Sequence, residues 1–141
     1  MEQILISESY ENKYKSSSHA VGISMWHLEW CTKYRYKMFK KEDQRNLITA
    51  LIRRAASMHG IKIIEINVQP EHVHCVVGIS LTMTPVNALQ LLKGISSRLF
   101  FLHNTKAGLR YPKRHLWSPG KFAASLGYIQ IETAKTYVRN Q

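Results

Sequence analysis

The stretch QPEHVHCVVGIS, Gln69 to Ser80, sets two histidines either side of one valine. Imidazole binds divalent metal ions through a neutral nitrogen and moves protons near neutral pH. On a strand alternate side chains share a face, so His72 and His74 point the same way, roughly 7 Å apart along the chain. Both rings can swing towards one cation at about 2 Å from each nitrogen. Two ligands alone hold a divalent ion weakly, and a third has to come from elsewhere. The same spacing also arises in hydrogen-bonded polar patches, so the pair by itself leaves both readings open. The last six residues, TYVRNQ, hold a second group. Tyr137 and Gln141 are four apart, which on a helix sets a hydroxyl and a neutral amide on one face, about 6 Å apart along the axis. With Lys135 and Arg139 nearby, this is an odd surface for a packing helix, because only Ile131, Ala134 and Val138 could pack. Taken alone, Tyr137 reads as an amphipathic packing residue before it reads as a nucleophile.

These groups need elements to position them. AVGISMWHLEWCTKY, residues 20–34, is rich in strand formers and predicts a long strand. Leu47, Ile48, Leu51, Ile52 and Ala55 recur at helical spacing, and Gly60 stands where a C-terminal cap belongs. IKIIEINV (61–68) predicts a strand, Pro70-Glu71 a turn, and HVHCVVGIS its antiparallel partner. Val73, Cys75, Val77 and Ile79 then face away from the histidines, making one face core and leaving the other to present two imidazoles. Thr84-Pro85 is a capped helix start, and that helix runs through Leu89, Leu92, Leu99 and Leu102. Residues 104–127 are irregular and basic, with a short strand expected near 121–125. ETAKTYVRNQ is polar and helical in propensity. The order strand, helix, strand, strand, helix, strand, helix predicts an α+β fold with helices covering an antiparallel sheet.

The chain's 141 residues suffice for one domain with a real core. No long uncharged apolar run is present, which argues against a membrane span. MEQILISESYENKYKSSSH carries acids and no apolar signal core, so residues 1–18 read as a polar arm and 19–141 as the domain. Cys31 and Cys75 have no CxxC partner, which favours reduced thiols in a cytoplasmic protein. Twenty Lys and Arg against nine Asp and Glu give a formal charge of +11. The excess concentrates in TKYRYKMFKK (32–41), IRRA (52–55) and KAGLRYPKRHLW (106–117), two of which interleave cations with aromatics. Cations track a phosphate backbone and aromatic faces stack on unpaired bases, so the pattern favours nucleic acid, single strands in particular, over a merely solvated surface. Lys33, Tyr34, Arg35, Lys113, Arg114 and Trp117 are the candidate DNA contacts.

From His19 to Gln141 the chain resembles the single-tyrosine HUH transposases of minimal insertion sequences (the IS-two-hundred group). HLEWCTKYRYKMF resembles that family's opening strand and basic turn, and PEHVHCVV its HUH motif. LLKGISSRLF resembles its central helix, LWSPGKFAASLG its Trp-Ser-x-Gly loop, and YVRNQ its C-terminal tyrosine motif. The resemblance implies that His72, His74 and Gln141 bind Mg²⁺ or Mn²⁺ and that Tyr137 is the nucleophile. It implies an antiparallel sheet flanked by helices, related to the RNA-recognition (ferredoxin-like) fold and of the HUH endonuclease type. It implies a DNA strand transferase acting on single-stranded DNA of transposon ends, with hairpins a candidate form. It also implies a homodimer with shared active sites, Tyr137 of one chain completing the His72/His74 site of the other. Three features depart from the pattern: Lys121 replaces a frequent aromatic, Gln130 replaces a frequent Ser or Thr cap, and the sequence stops at Gln141. The Gln130 departure predicts a final helix that starts less firmly. Two competing readings are a non-catalytic nucleic-acid-binding module and an HUH nuclease of replication or conjugal transfer.

Overall fold

β1 (Ile23–Cys31) is one of the two inner strands of the sheet. A computed structural model describes residues 22–141, apart from the side chains at 128 and 129; the polar arm expected over 1–18, and residues 19–21, lie outside the described residues. After β1 come α1 (Glu42–Met58), β2 (Lys62–Val68), β3 (His72–Ser80), α2 (Pro85–His103), β4 (Phe122–Leu126) and α3 (Tyr128–Arg139). The strands pair antiparallel in the order β2-β3-β1-β4. Two helices in a β-α-β-β-α-β run with that order make the split βαβ arrangement of ferredoxin-like folds, as expected. No helix among the described residues is long and apolar enough to cross a membrane.

Local chemistry sets the ends of these elements. Glu42 and Asp43 lie in the first turn of α1, where the helix dipole favours anions. The helix stops where Gly60 takes φ 66° and Ile61 N–H donates back to Ala56 O at 2.9 Å. Thr84 Oγ1 accepts from Asn87 N–H at 3.1 Å and Pro85 occupies the first helical position of α2. α3 starts at Tyr128, four residues before the polar stretch that predicted it. Gln130 is not its cap. It sits three residues inside the capping Gly127, and its Oε1 accepts the Gly127 N–H at 3.0 Å. That bond satisfies the Gly127 donor and firms the start that Gln130 was expected to weaken.

Each face of the sheet has its own core. Leu28, Trp30, Val73, Cys75, Val77 and Ile79 pack under α1 and α2 with Ile48, Ile52, Leu89 and Phe100. Removing each such aliphatic side chain from water contributes about 1.5–3 kcal/mol. The opposite face, which carries the histidines, is not left open as the sequence suggested. Ile131 and Val138 of α3 close over Ile23, Met25 and Val76. β3 is therefore buried along nearly its whole length, and His74 is only 3% exposed. Cys75 lies in the larger core with its thiol pushed well up by burial, and both cysteines are free.

Candidate active site

Strand register brings the polar groups together. His74 on β3 faces Glu29 on β1 and Asn67 on β2, while His72 faces Cys31. The two imidazoles stand edge to face, with centroids 4.7 Å apart and planes at 77°. His72 Nδ1 lies 2.7 Å from Glu71 Oε1. A carboxylate only accepts, so the ring donates from Nδ1 and keeps the lone pair of Nε2 for a ligand. His74 Nδ1 lies 3.1 Å from Glu29 Oε1, but without the alignment of a hydrogen bond. His27 stacks on His74 at 5.8 Å, and its Nε2 lies 3.8 Å from Glu29 Oε2.

Burial dominates the electrostatics here. It pulls His74 below the ordinary histidine value; Glu29 works against that, while His72 and His27 reinforce it. His27 is lowered in the same way, again by burial against an opposing Glu29. Both rings are therefore neutral at pH 7, the form that donates to a metal ion. Among the described residues, one group of three offers converging donor atoms: His27, Glu29 and His74, all within 4.8 Å of one another. His72 is not part of that trio. Sequence reasoning overlooked His27 and Glu29, although they stand two apart on a strand, the same spacing that drew attention to the histidine pair.

The terminal helix delivers the other two expected residues. Tyr137 is half exposed, its ring edge-on to His74 at 5.8 Å and to His27 at 5.6 Å. Past the helix end, the Gln141 carbonyl accepts from Gln69 Nε2 at 2.7 Å, and Gln69 N–H donates to His72 O at 2.8 Å. One glutamine thus links the last residue to the start of the histidine strand. Asn67 Nδ2 donates to Arg139 O at 3.1 Å, and Arg139 pairs with Glu65 at 2.8 Å. The helix expected to be too poor in apolar residues for docking on its own sheet is held there, by two buried aliphatics and these polar ties.

The basic stretches make the rim. Lys33–Arg35 is a tight kinked turn with Tyr34 at φ 62° and Arg35 at φ 54°, a left-handed backbone that costs about 1–3 kcal/mol per residue. The turn carries Arg35 into a cavity of about 370 Å³ shared with Glu29, His72, Lys121 and Phe122. Lys121 therefore places a cation at the site, and the neighbouring Phe122 lays an aromatic edge 5.7 Å from His27. Tyr34 is 67% exposed and clusters with Tyr36, whose ring is tilted to it, and with Tyr111, whose ring is stacked on both. Lys33, Tyr34 and Lys113 line one cleft; Lys33, Lys93, Arg98, Arg114 and Trp117 line another of about 470 Å³. Trp117 corrects its expected role as a stacking ring. It is buried at 7% exposure, packs edge-on against Trp30, and donates from Nε1 to Ser96 Oγ at 3.0 Å. A ring so enclosed is a wall of the cleft and has no face left for a base.

Comparison with known proteins gives a consistent picture. Residues 20–141 match the family described as Transposase IS200 like. The chain is 29% identical over 120 residues to the ISDra2 transposase TnpA of Deinococcus radiodurans, covering 82% of each chain. It is 25% identical over 129 residues to the transposase for insertion sequence element IS200 of Salmonella typhimurium, covering 90% of this chain and 82% of the other. Its fold superposes on a Deinococcus radiodurans R1 crystal structure described as a transposase, with a TM-score of 0.70, 22% identity, and coverage of 89% and 96%. It also superposes on a REP-associated tyrosine transposase bound to a REP hairpin, with a TM-score of 0.59, 15% identity, and coverage of 82% and 64%.

Proposed function

The chain belongs to the IS200-like transposase family, and from that premise we propose that it cuts and rejoins single-stranded DNA at its element's ends through a covalent bond to Tyr137. The observation that carries this reading is the placement of the Tyr137 ring against His74, at 5.8 Å, while His72 shares a neighbouring cavity with Arg35 and Lys121. The phenol gives up its proton as its oxygen attacks the phosphorus, the bond to one deoxyribose oxygen breaks, and that oxygen takes up a proton and leaves as a hydroxyl, with no net proton gained or lost. One ester replaces another, so the bond energy is kept for rejoining, which water as nucleophile would discard.

His72 and His74 fit a divalent ion, because the Glu71 carboxylate holds one ring nitrogen of His72 and burial keeps His74 neutral. Gln141 is the third ligand in this reading, supported by the tie of its carbonyl to Gln69. When bound, Mg²⁺ or Mn²⁺ supplies Lewis acidity to the scissile phosphate. Arg35 and Lys121, which line the cavity beside His72, hold the phosphate. Lys33, Lys113 and Arg114 track the backbone, while exposed Tyr34 stacks on an unpaired base. The hairpin carried by the REP-associated relative supports hairpin ends as ligands here. Two copies work together in the cytoplasm, and α3, docked here on the sheet of its own chain, exchanges between them to complete the partner's site.

Incubation with labelled single strands and Mg²⁺ or Mn²⁺ tests the reading. It predicts a protein–DNA adduct that survives denaturation. DNA binding without any adduct would leave only a non-catalytic binding module.

A further inference from the structure

We propose that Lys93 of α2 is a positioning residue for strand cleavage: it holds the loop 118–120 so that Lys121 reaches the cavity beside His72. The inference rests on the reading above, in which Lys121 holds the scissile phosphate. Lys93 is half-buried, and its Nζ donates to Ser118 O at 2.8 Å and, at a longer 3.4 Å, to Gly120 O. A lysine stem lies along apolar surface and delivers its ammonium at the far end, so a helix can reach a loop in this way. A hydrogen bond from a charged donor is also stronger than one between neutral groups.

Ser118 is gripped from both sides. Its N–H donates to Cys31 O at 2.9 Å, and Cys31 ends β1 directly opposite His72. Its carbonyl takes Lys93, so one loop residue links α2 to the strand pair that carries the histidine. Just past the loop, Lys121 and Phe122 line the cavity of about 370 Å³ with His72 and Arg35. Lys121 is exposed and β4 is a five-residue edge strand, so neither packing nor a long strand fixes where this cation stands. Its backbone does, and Lys93 fixes that backbone. Burial lowers the Lys93 ammonium below its ordinary value, and repulsion from Lys121 adds to it. The two cations are therefore near neighbours, a repulsion that a phosphate held by Lys121 relieves.

The test compares Lys93→Met, Lys121→Met and the double variant in the full chain, with circular dichroism checking that each is folded. Met keeps the length of the stem and removes every donor. Without DNA, hydrogen exchange over residues 118–122 should run about tenfold faster or more in Lys93→Met, the factor that losing a charged hydrogen bond makes. With saturating single strands, the single-turnover rate of adduct formation should fall towards the roughly hundredfold that a misplacement of about 1 Å costs. The double variant should be no slower than Lys121→Met alone, because Lys93 acts through Lys121. Unchanged exchange in folded Lys93→Met overturns the proposal, and so does an equal fold-loss of rate when Lys121 is already Met. A loss confined to DNA affinity overturns it too, and makes Lys93 a direct phosphate contact. Wild-type protein that forms no adduct overturns the Tyr137 reading and this role with it, whatever the exchange shows.

Discussion

At the scale of single residues, the proposed reading separates Tyr137, as nucleophile, from the groups that serve it. Tyr137→Phe removes one hydroxyl from a half-exposed ring, so stability should change by less than about 0.5 kcal/mol. DNA affinity should persist in a gel-shift measurement while adduct disappears; a Phe variant that still forms adduct would falsify the assignment. The neutral histidines make a second prediction. Burial lowers His74 and His27 in the folded state below their ordinary 6.5, so between those values the unfolded chain binds more protons. Their contribution is therefore fully present above pH 6.5 and is lost as pH falls from there through the lowered folded values. Melting temperature of the metal-free protein should drop between pH 7.5 and 5.5, more than in a His27→Gln, His74→Gln double variant. An equal drop in both would contradict it. The histidine pair was legible because a period of two on a predicted strand needs no tertiary knowledge. His27 and Glu29 were not, because their meaning comes from register, and only the pairing of Glu29 with His74 supplies it.

At the scale of elements, α3 decides whether the tyrosine is present at all. Ile131 is 3% exposed and anchors the smaller core. Ile131→Ala should cost about 2–5 kcal/mol. Hydrogen exchange should localise the loss: amides of α3 open first, while β1 and β3 stay protected. Uniform loss across the sheet would show that α3 does not open as a separate unit. Arg139→Ala breaks an exposed pair with Glu65 and should leave the melting temperature nearly unchanged. Gly60 and Thr84-Pro85 announced their helix ends because caps are local chemistry. The docking of α3 could not be read that way. Ile131, Ala134 and Val138 look too few until Ile23, Met25 and Val76 meet them from another part of the chain. Trp117 failed for the same reason: a basic neighbourhood suggested a surface ring, and Ser96 and Trp30 claim it for the core.

At the scale of the whole molecule, a charge of +11 and clefts lined by Lys33, Lys113 and Arg114 predict affinity that falls steeply with salt. Tyr34→Ala should weaken single strands by about 1–3 kcal/mol and leave duplex binding nearly unchanged. A salt-insensitive affinity, or equal losses on both substrates, would count against this surface. A second copy offers α3 the same apolar and polar partners as its own sheet, so exchange between subunits costs little in contacts. A His72→Ala, His74→Ala double variant mixed with a Tyr137→Phe variant should regain adduct in the heterodimer; proven heterodimers without adduct would exclude sharing during cleavage. The central claim remains that Tyr137 itself bonds to DNA. The most direct measurement digests the adduct formed on a single-stranded element end and sequences the nucleotide-bearing peptide by mass spectrometry. The account predicts one modified peptide, with a phosphodiester on the Tyr137 oxygen. Modification at any other residue, or no modified peptide from active protein, would contradict it.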